Sequence, residues 1–129
     1  MIHLIGEDLF TLYDIMKKTA TIPMKNRLLK SFYKEYSVIY LTYIKAEDTR
    51  NEIIKRYGKT DESGNLILDK DGKAQIVEKY IDECRVELNK LGAESFEIPI
   101  SSNFYKKYTM YLEDYLVIKK IIKKIKADN

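Results

Sequence analysis

The stretch PMKNRLLKSFYKEYSVIYLTYIKAEDTRNEIIKRYG, Pro23 to Gly58, decides the fold of this chain. Between that Pro and that Gly neither residue recurs. Leu28, Phe32, Tyr36, Ile39, Tyr43, Ala46, Ile53 and Tyr57 fall at helical spacing, with Arg50 alone breaking the seam. Such a period lays one apolar face along a single helix. Pro23 suits its first position, where a missing amide hydrogen costs nothing, and Gly58 suits a left-handed cap at its end. At 1.5 Å per residue this helix reaches about 50 Å, longer than most helices in a domain of this size. An elongated, mainly α protein follows.

Upstream, Glu7 to Lys18 carries Leu9, Phe10, Leu12, Tyr13 and Met16, an apolar face with acids in the first turn and Lys17 and Lys18 in the last. Downstream, Val77, Tyr80, Ile81, Cys84, Leu88 and Leu91 mark a third helix from Lys73 or Gln75 to Leu91, with Gly92 as its stop. Phe96, Ile98 and Ile100 then alternate with Glu97 and Pro99, and the proline confines this short extended segment to an edge strand or a linker. Ser102 or Asn103 can cap a last helix whose stripe runs Phe104, Tyr108, Tyr111, Tyr115, Ile118, Ile122, Ile125. No internal repeat, low-complexity tract or interdomain linker is evident. The reading is one helical domain over residues 1–129, four helices with two of them long, and a small β-hairpin inserted at about 61–76.

That insertion, within YGKTDESGNLILDKDGK (Tyr57 to Lys73), holds pieces of two ligand-binding loops. Gly58-Lys59-Thr60 ends like a phosphate loop, but the earlier glycine such a loop needs is Ile53, inside a helical run with no strand before it. A calcium loop with Gly72 at its sixth position puts Ile67 at the first, where no ligand results. The register beginning at Asp61 puts Leu66 where the glycine belongs. Turn chemistry around Ser63-Gly64-Asn65 and Asp69-Lys70-Asp71-Gly72 explains the segment better. A weak, exposed cation site on Asp61, Asp69 and Asp71 is the remaining metal candidate, and no cofactor is expected.

The composition, 45% hydrophobic and 33% charged, is too apolar for a disordered chain. No window forms an uncharged apolar run long enough for a membrane span, and MIHLIGEDLF lacks the pattern of a secretory signal. A cytoplasmic, soluble protein is the expectation. Cys84, the only cysteine, lies on the apolar stripe of the third helix and reads as core. With His3 the only histidine, a Cys–His catalytic pair has no local motif to support it. The net charge of +3 is mixed along most of the chain, which gives little reason to expect nucleic acid as a partner.

Tyrosine is unusually frequent, 11 of 129 residues with no tryptophan. On helical stripes it serves as core and boundary. A second reading is a protein interface, where tyrosine concentrates, and base stacking is a third. The terminal KKIIKKIKADN complements a helix dipole through its lysines, or forms a basic amphipathic end for an anionic membrane or polyanion. Interaction candidates are therefore Tyr105, Tyr108, Tyr111, Tyr115, Lys119, Lys120, Lys123 and Lys124.

The order of these features is distinctive. A short helix leads to Ile22-Pro23-Met24-Lys25 and a long charged helix ending in Tyr57-Gly58. Then come Asp61-Glu62-Ser63-Gly64-Asn65, the Asp71-Gly72 turn, Glu87-Leu88-Asn89-Lys90-Leu91 and Glu97-Ile98-Pro99-Ile100. From residue 7 to about 101 it resembles a family of small uncharacterised bacteriophage proteins from phages of low-GC bacteria. The Tyr-rich last helix, longer and more regular, departs from that pattern, and the family supplies no catalytic residues to carry over. The resemblance implies a phage setting; the ungrouped polar residues and the long Tyr-rich helices add the expectation of a non-enzymatic protein acting by protein contact, either a virion or assembly component or an accessory factor. Its site of action would be the host cytoplasm during infection, or the virion. Partners would be other proteins, or further copies of the chain met through helical faces. The alternatives are an inhibitor of a host or anti-phage defence protein, and a nucleic-acid-binding accessory protein.

The seam itself is testable. Tyr43→Asp or Ile53→Asp should each lower stability by about 3 kcal/mol or more by burying an unpaired charge. Unchanged thermal unfolding of both variants would show that this face is not core.

Overall fold

The structure, a computed structural model, describes residues 1–128, with side chains to Lys126. It is mainly α, with four helices and one two-stranded antiparallel sheet. In chain order these are β1 (Ile2–Ile5), α1 (Gly6–Thr19), α2 (Asn26–Tyr57), α3 (Ile81–Ala93), β2 (Ser95–Ile98) and α4 (Leu112–Asp128), with 3-10 turns at Glu78–Tyr80 and Phe104–Lys107.

The long helix forms as its period requires. Phe32, Ile39, Ala46 and Ile53, each seven residues from the next, are buried, and Leu28, Tyr36, Tyr43 and Tyr57 flank them half-buried. Its 32 residues extend about 48 Å. Two hydrophobic clusters lie along it. The larger gathers Phe32, Ile39 and Ala46 with Leu9, Leu12 and Met16 of α1, Ile2 and Leu4 of β1, and Ile118, Ile121 and Ile122 of α4. The smaller joins Ile53 to Cys84 and Leu91 of α3. Phe96 of β2 packs against both.

Several boundaries differ from the sequence-based expectation. The helix begins at Asn26, three residues after Pro23, because Lys25 is extended (φ −64°, ψ 148°) and Met24 packs on the core before the first turn. Gly58 is also extended (φ −76°, ψ 149°), not left-handed. Its lack of a side chain is needed for space, since a Cβ there would lie 2.4 Å from Leu66 Cδ2 and 2.8 Å from the Ile54 carbonyl oxygen. Gly92 does not stop α3, which runs on to Ala93. That helix also starts later than expected, because Ala74 to Val77 are used in backbone pairing with the preceding loop.

The extended segment at Phe96 is β2, and it stops before Pro99. Its partner β1 comes from the first residues of the chain, in the register Ile2↔Ile98, His3↔Glu97, Leu4↔Phe96, Ile5↔Ser95. Ile2 and Leu4 alternate with exposed His3 and Ile5, a pattern of only four residues. Directly after it, Gly6 donates its amide to the Glu94 carbonyl at 2.8 Å. A Cβ on Gly6 would lie 2.3 Å from the Leu91 carbonyl oxygen. The start of α1 and the end of α3 are thus in backbone contact.

The last helix is shorter than its stripe. Phe104 to Lys107 form a 3-10 turn, Tyr108 is extended (ψ 150°), and α4 opens only at Leu112, with Glu113 and Asp114 in its first turn. With this break Phe104, Tyr105 and Tyr108 are all buried.

The expected hairpin at 61–76 is an eight-residue unit used twice, Lys59–Leu66 and Ile67–Ala74, so the chain does contain an internal repeat. In each unit an aspartate Oδ1, of Asp61 or Asp69, accepts amides from two and four residues ahead at 2.8–3.0 Å. Each carries a glycine at positive φ, Gly64 at 83° and Gly72 at 80°. Three backbone bonds then close a ring: Lys59 N–H to Gln75 O (2.8 Å), Gln75 N–H to Ile67 O (2.9 Å) and Ile67 N–H to Lys59 O (2.9 Å). The pairings are isolated bridges, Gly58↔Ile76, Thr60↔Leu66 and Leu68↔Ala74, not the strands of a hairpin.

The two helical glycines should behave oppositely. Gly6→Ala should destabilise the protein by about 1–3 kcal/mol through the clash with Leu91. Gly92→Ala, with nothing within 4 Å of its Cβ, should be neutral or stabilise by up to about 1 kcal/mol. Denaturant midpoints ranked the other way would contradict the contact between α1 and α3.

Candidate functional site

The pair α2 and α3 diverges enough to leave a furrow that other elements edge rather than fill. One part, about 630 Å³, lies between α1, α2 and α3 and is lined by Ile5, Phe10, Thr11 and Leu91. A second part, about 500 Å³, lies between α2, α3 and the two-turn loop, lined by Ile54, Leu66, Leu68, Ala74 and Ile76. Arg50 and Leu88 line both, so the parts meet at Arg50.

Arg50, the break in the apolar seam, is held in place there. Its guanidinium lies over the Phe10 ring, 5.7 Å from the centroid, and Nη1 is 3.6 Å from Glu47 Oε2. That carboxylate oxygen is buried and has no hydrogen-bond partner among the described residues, so the nearby cation compensates a charge removed from water. On the loop side the wall is Leu68, 56% exposed. The furrow offers apolar contact with Arg50 where its parts meet, Glu7 in the first part and Lys73 in the second.

The nominated residues separate. Tyr105 and Tyr108 are buried in the larger cluster and present no surface; this corrects their reading as interface residues. Tyr115 is half-buried against the same cluster, and Tyr111 is 54% exposed. Lys119, Lys120 and Lys123 are exposed, whereas Lys124 Nζ pairs with Asp8 Oδ2 at 2.9 Å. The carboxylates of Asp61 and Asp69 hold their own turns. Among the described residues no group of three His, Cys, Asp or Glu side chains is placed to hold a metal ion, so Asp61, Asp69 and Asp71 do not converge. His3 stands exposed on β1, 3.9 Å from Glu97, while Cys84 is buried in the smaller cluster, where desolvation pushes its thiol up.

A tyrosine cluster lies on the opposite half of α2. Tyr13 of α1 stacks on Tyr43 with centroids 3.8 Å apart, and Tyr36 and Tyr40 lie 6.1 and 6.0 Å from Tyr13. Burial, then a hydrogen bond with Tyr13, pushes the Tyr36 hydroxyl up to about 12. Burial and then the neighbouring Glu47 raise Tyr43. Tyr108 is raised by burial and by donating its hydroxyl to Glu35 Oε1, an oxygen that also accepts from Lys107 Nζ at 2.9 Å. These hydroxyls act as neutral donors at physiological pH.

Sequence reading noticed Arg50 but missed the loop wall of the furrow. The available signal was Leu66-Ile67-Leu68, an apolar run between two polar turns too small to enclose it. Comparison with protein-family models, with curated protein sequences and with solved structures gives no match. No helix among the described residues is long and apolar enough to cross a membrane.

Because the folded-state values of these tyrosines lie above the unfolded value of about 10, their contribution to stability is whole below that pH and is lost as pH rises through about 12 for Tyr36. Phenolate absorbance should therefore rise in two phases, the later one accompanied by loss of helical circular dichroism. A single phase near pH 10 with the helical signal intact would contradict the buried cluster.

Proposed function

We propose that this is a non-enzymatic protein acting by contact with another protein, in the bacteriophage setting that its resemblance implies, as a virion or assembly component or an accessory factor. The observation that supports this reading is the open furrow of α2, α3 and the two-turn loop, with Leu68 projecting 56% exposed at its rim. An apolar side chain held at a rim by a rigid backbone turn suits the centre of a contact, where a few such residues supply most of the binding energy. Around it Arg50 and Lys73 are the charged residues of the loop half, with no carboxylate lining it. The partner segment this favours is apolar with an acidic residue.

Affinity purification from infected cells, with the intact chain and with Leu68→Glu, tests this. Leu68 is exposed, so its substitution should leave thermal unfolding within about 0.5 kcal/mol of the parent. A partner using the furrow should fall at least about tenfold in recovery, equivalent to about 1.4 kcal/mol. The same partner recovered undiminished would remove the furrow from the proposal. The partner's nature decides the role, since a structural phage protein indicates assembly and a host enzyme indicates inhibition.

A further inference from the structure

The outward face of α4 carries an arrangement that neither the core nor the furrow uses. Its inward face is spent on the core, where Ile118, Ile121 and Ile122 are buried and Tyr115 and Ile125 pack beside them. On the other side, Leu112 is 73% exposed and Leu116 is 52% exposed. Steps of four, three, one and three residues from Leu116 backward and forward place Leu112, Leu116, Lys119, Lys120 and Lys123 on one outward stripe. Tyr111, just before the helix, is turned instead toward α1, where Lys18 Nζ lies 5.6 Å from its ring centroid. The stripe is apolar over its first turn and cationic over the next two, about 16 Å in all.

Charge along this helix is divided in use. Lys124 is engaged with Asp8 of α1. Lys119, Lys120 and Lys123 are exposed, and no ion pair holds any of them among the described residues. Among the described side chains of α4, the acids are Glu113 and Asp114, both in the first turn, where they complement the helix dipole.

From this geometry we infer that α4 docks on an anionic lipid bilayer surface, its axis along the plane. Leu112 and Leu116 enter the headgroup region, and Lys119, Lys120 and Lys123 meet the acidic headgroups. A flat surface touches both halves of the stripe at once. A partner helix would need apolar positions repeated through several turns, whereas here they give way to three like charges. A soluble polyanion would draw on the lysines alone and leave the two leucines in water. The attachment is peripheral, and it is independent of the furrow and of any protein partner.

Co-sedimentation of the full chain with phosphatidylcholine vesicles, with and without phosphatidylglycerol, tests this. Binding should favour the anionic vesicles by about tenfold or more and weaken as salt is added. Lys119→Gln, Lys120→Gln and Lys123→Gln together should abolish that preference. Leu112→Ser with Leu116→Ser, which leaves the charge unchanged, should weaken anionic-vesicle binding on the order of tenfold. All five side chains point to solvent, so unchanged circular dichroism should accompany each variant. Absence of vesicle binding, or equal binding to neutral vesicles, overturns the proposal. So does binding that ignores the leucines and is matched by heparin or single-stranded DNA, which would assign the lysines to a soluble polyanion.

Discussion

The structure depends on covering one seam that is longer than any other element. Phe32, Ile39, Ala46 and Ile53 run over 22 residues of α2, about 32 Å from first to last, while α1 has 14 residues and α3 has 13. Neither alone can shield it. The coverage is therefore divided, with α1, β1 and α4 over Phe32 to Ala46 and α3 over Ile53. What joins the halves is the junction of β1, α1, α3 and β2. There Gly6 permits backbone contact with Leu91, and Phe96 reaches both clusters. A side chain at Gly6 would separate the covering elements at the point where the seam passes from one to the other.

Against this core α1 and α4 lie antiparallel, and their charges follow from that orientation. Asp8 pairs with Lys124 and Lys18 with Asp114, at 2.9 and 3.0 Å, ten residues apart on each helix. Antiparallel packing brings the amino end of one helix beside the carboxyl end of the other. An acid in each first turn and a lysine toward each end then satisfy the helix dipoles and their partner together. Lys18 is half-exposed, so the pair stabilises modestly in water. Its larger effect is on register, because a slip of one turn would separate both pairs and leave the buried carboxylate of Asp114 without its cation.

Periodicity was legible where one helix met one environment. The α2 seam, including its interruption at Arg50, is present in the sequence at the positions the structure buries. The mainly α class and the core placement of Cys84 follow equally directly. Boundaries were less legible because local signals had tertiary uses. Gly58 serves the approach of Leu66 and Gly6 that of Leu91, so neither reports a positive φ. The spacing of Phe104 and Tyr108 recorded burial, but of a 3-10 turn and an extended residue packed on Phe32, not of a helix. Of the nominated surface residues, Tyr105 and Tyr108 were misplaced for this reason, while Tyr111 and the terminal lysines stand outside the core. The strand pairing of Ile2 to Ile5 was too short to announce itself.

The loop between α2 and α3 shows where side chains are released from structural duty. Its conformation is set by Asp61 and Asp69, by the positive φ of Gly64 and Gly72, and by the ring of backbone bonds through Lys59, Ile67 and Gln75. Leu66 has a packing role against Gly58. Leu68 does not need to be apolar for any of these bonds to form, and more than half of it meets solvent at some cost in hydration. The outward leucines of α4 stand in the same position, since Ile118, Ile121 and Ile122 already anchor that helix. Exposed apolar side chains at sites fixed by backbone or by an opposite face bury only part of their surface in the isolated chain. Their exposed remainder is the surface on which the proposed contacts rest.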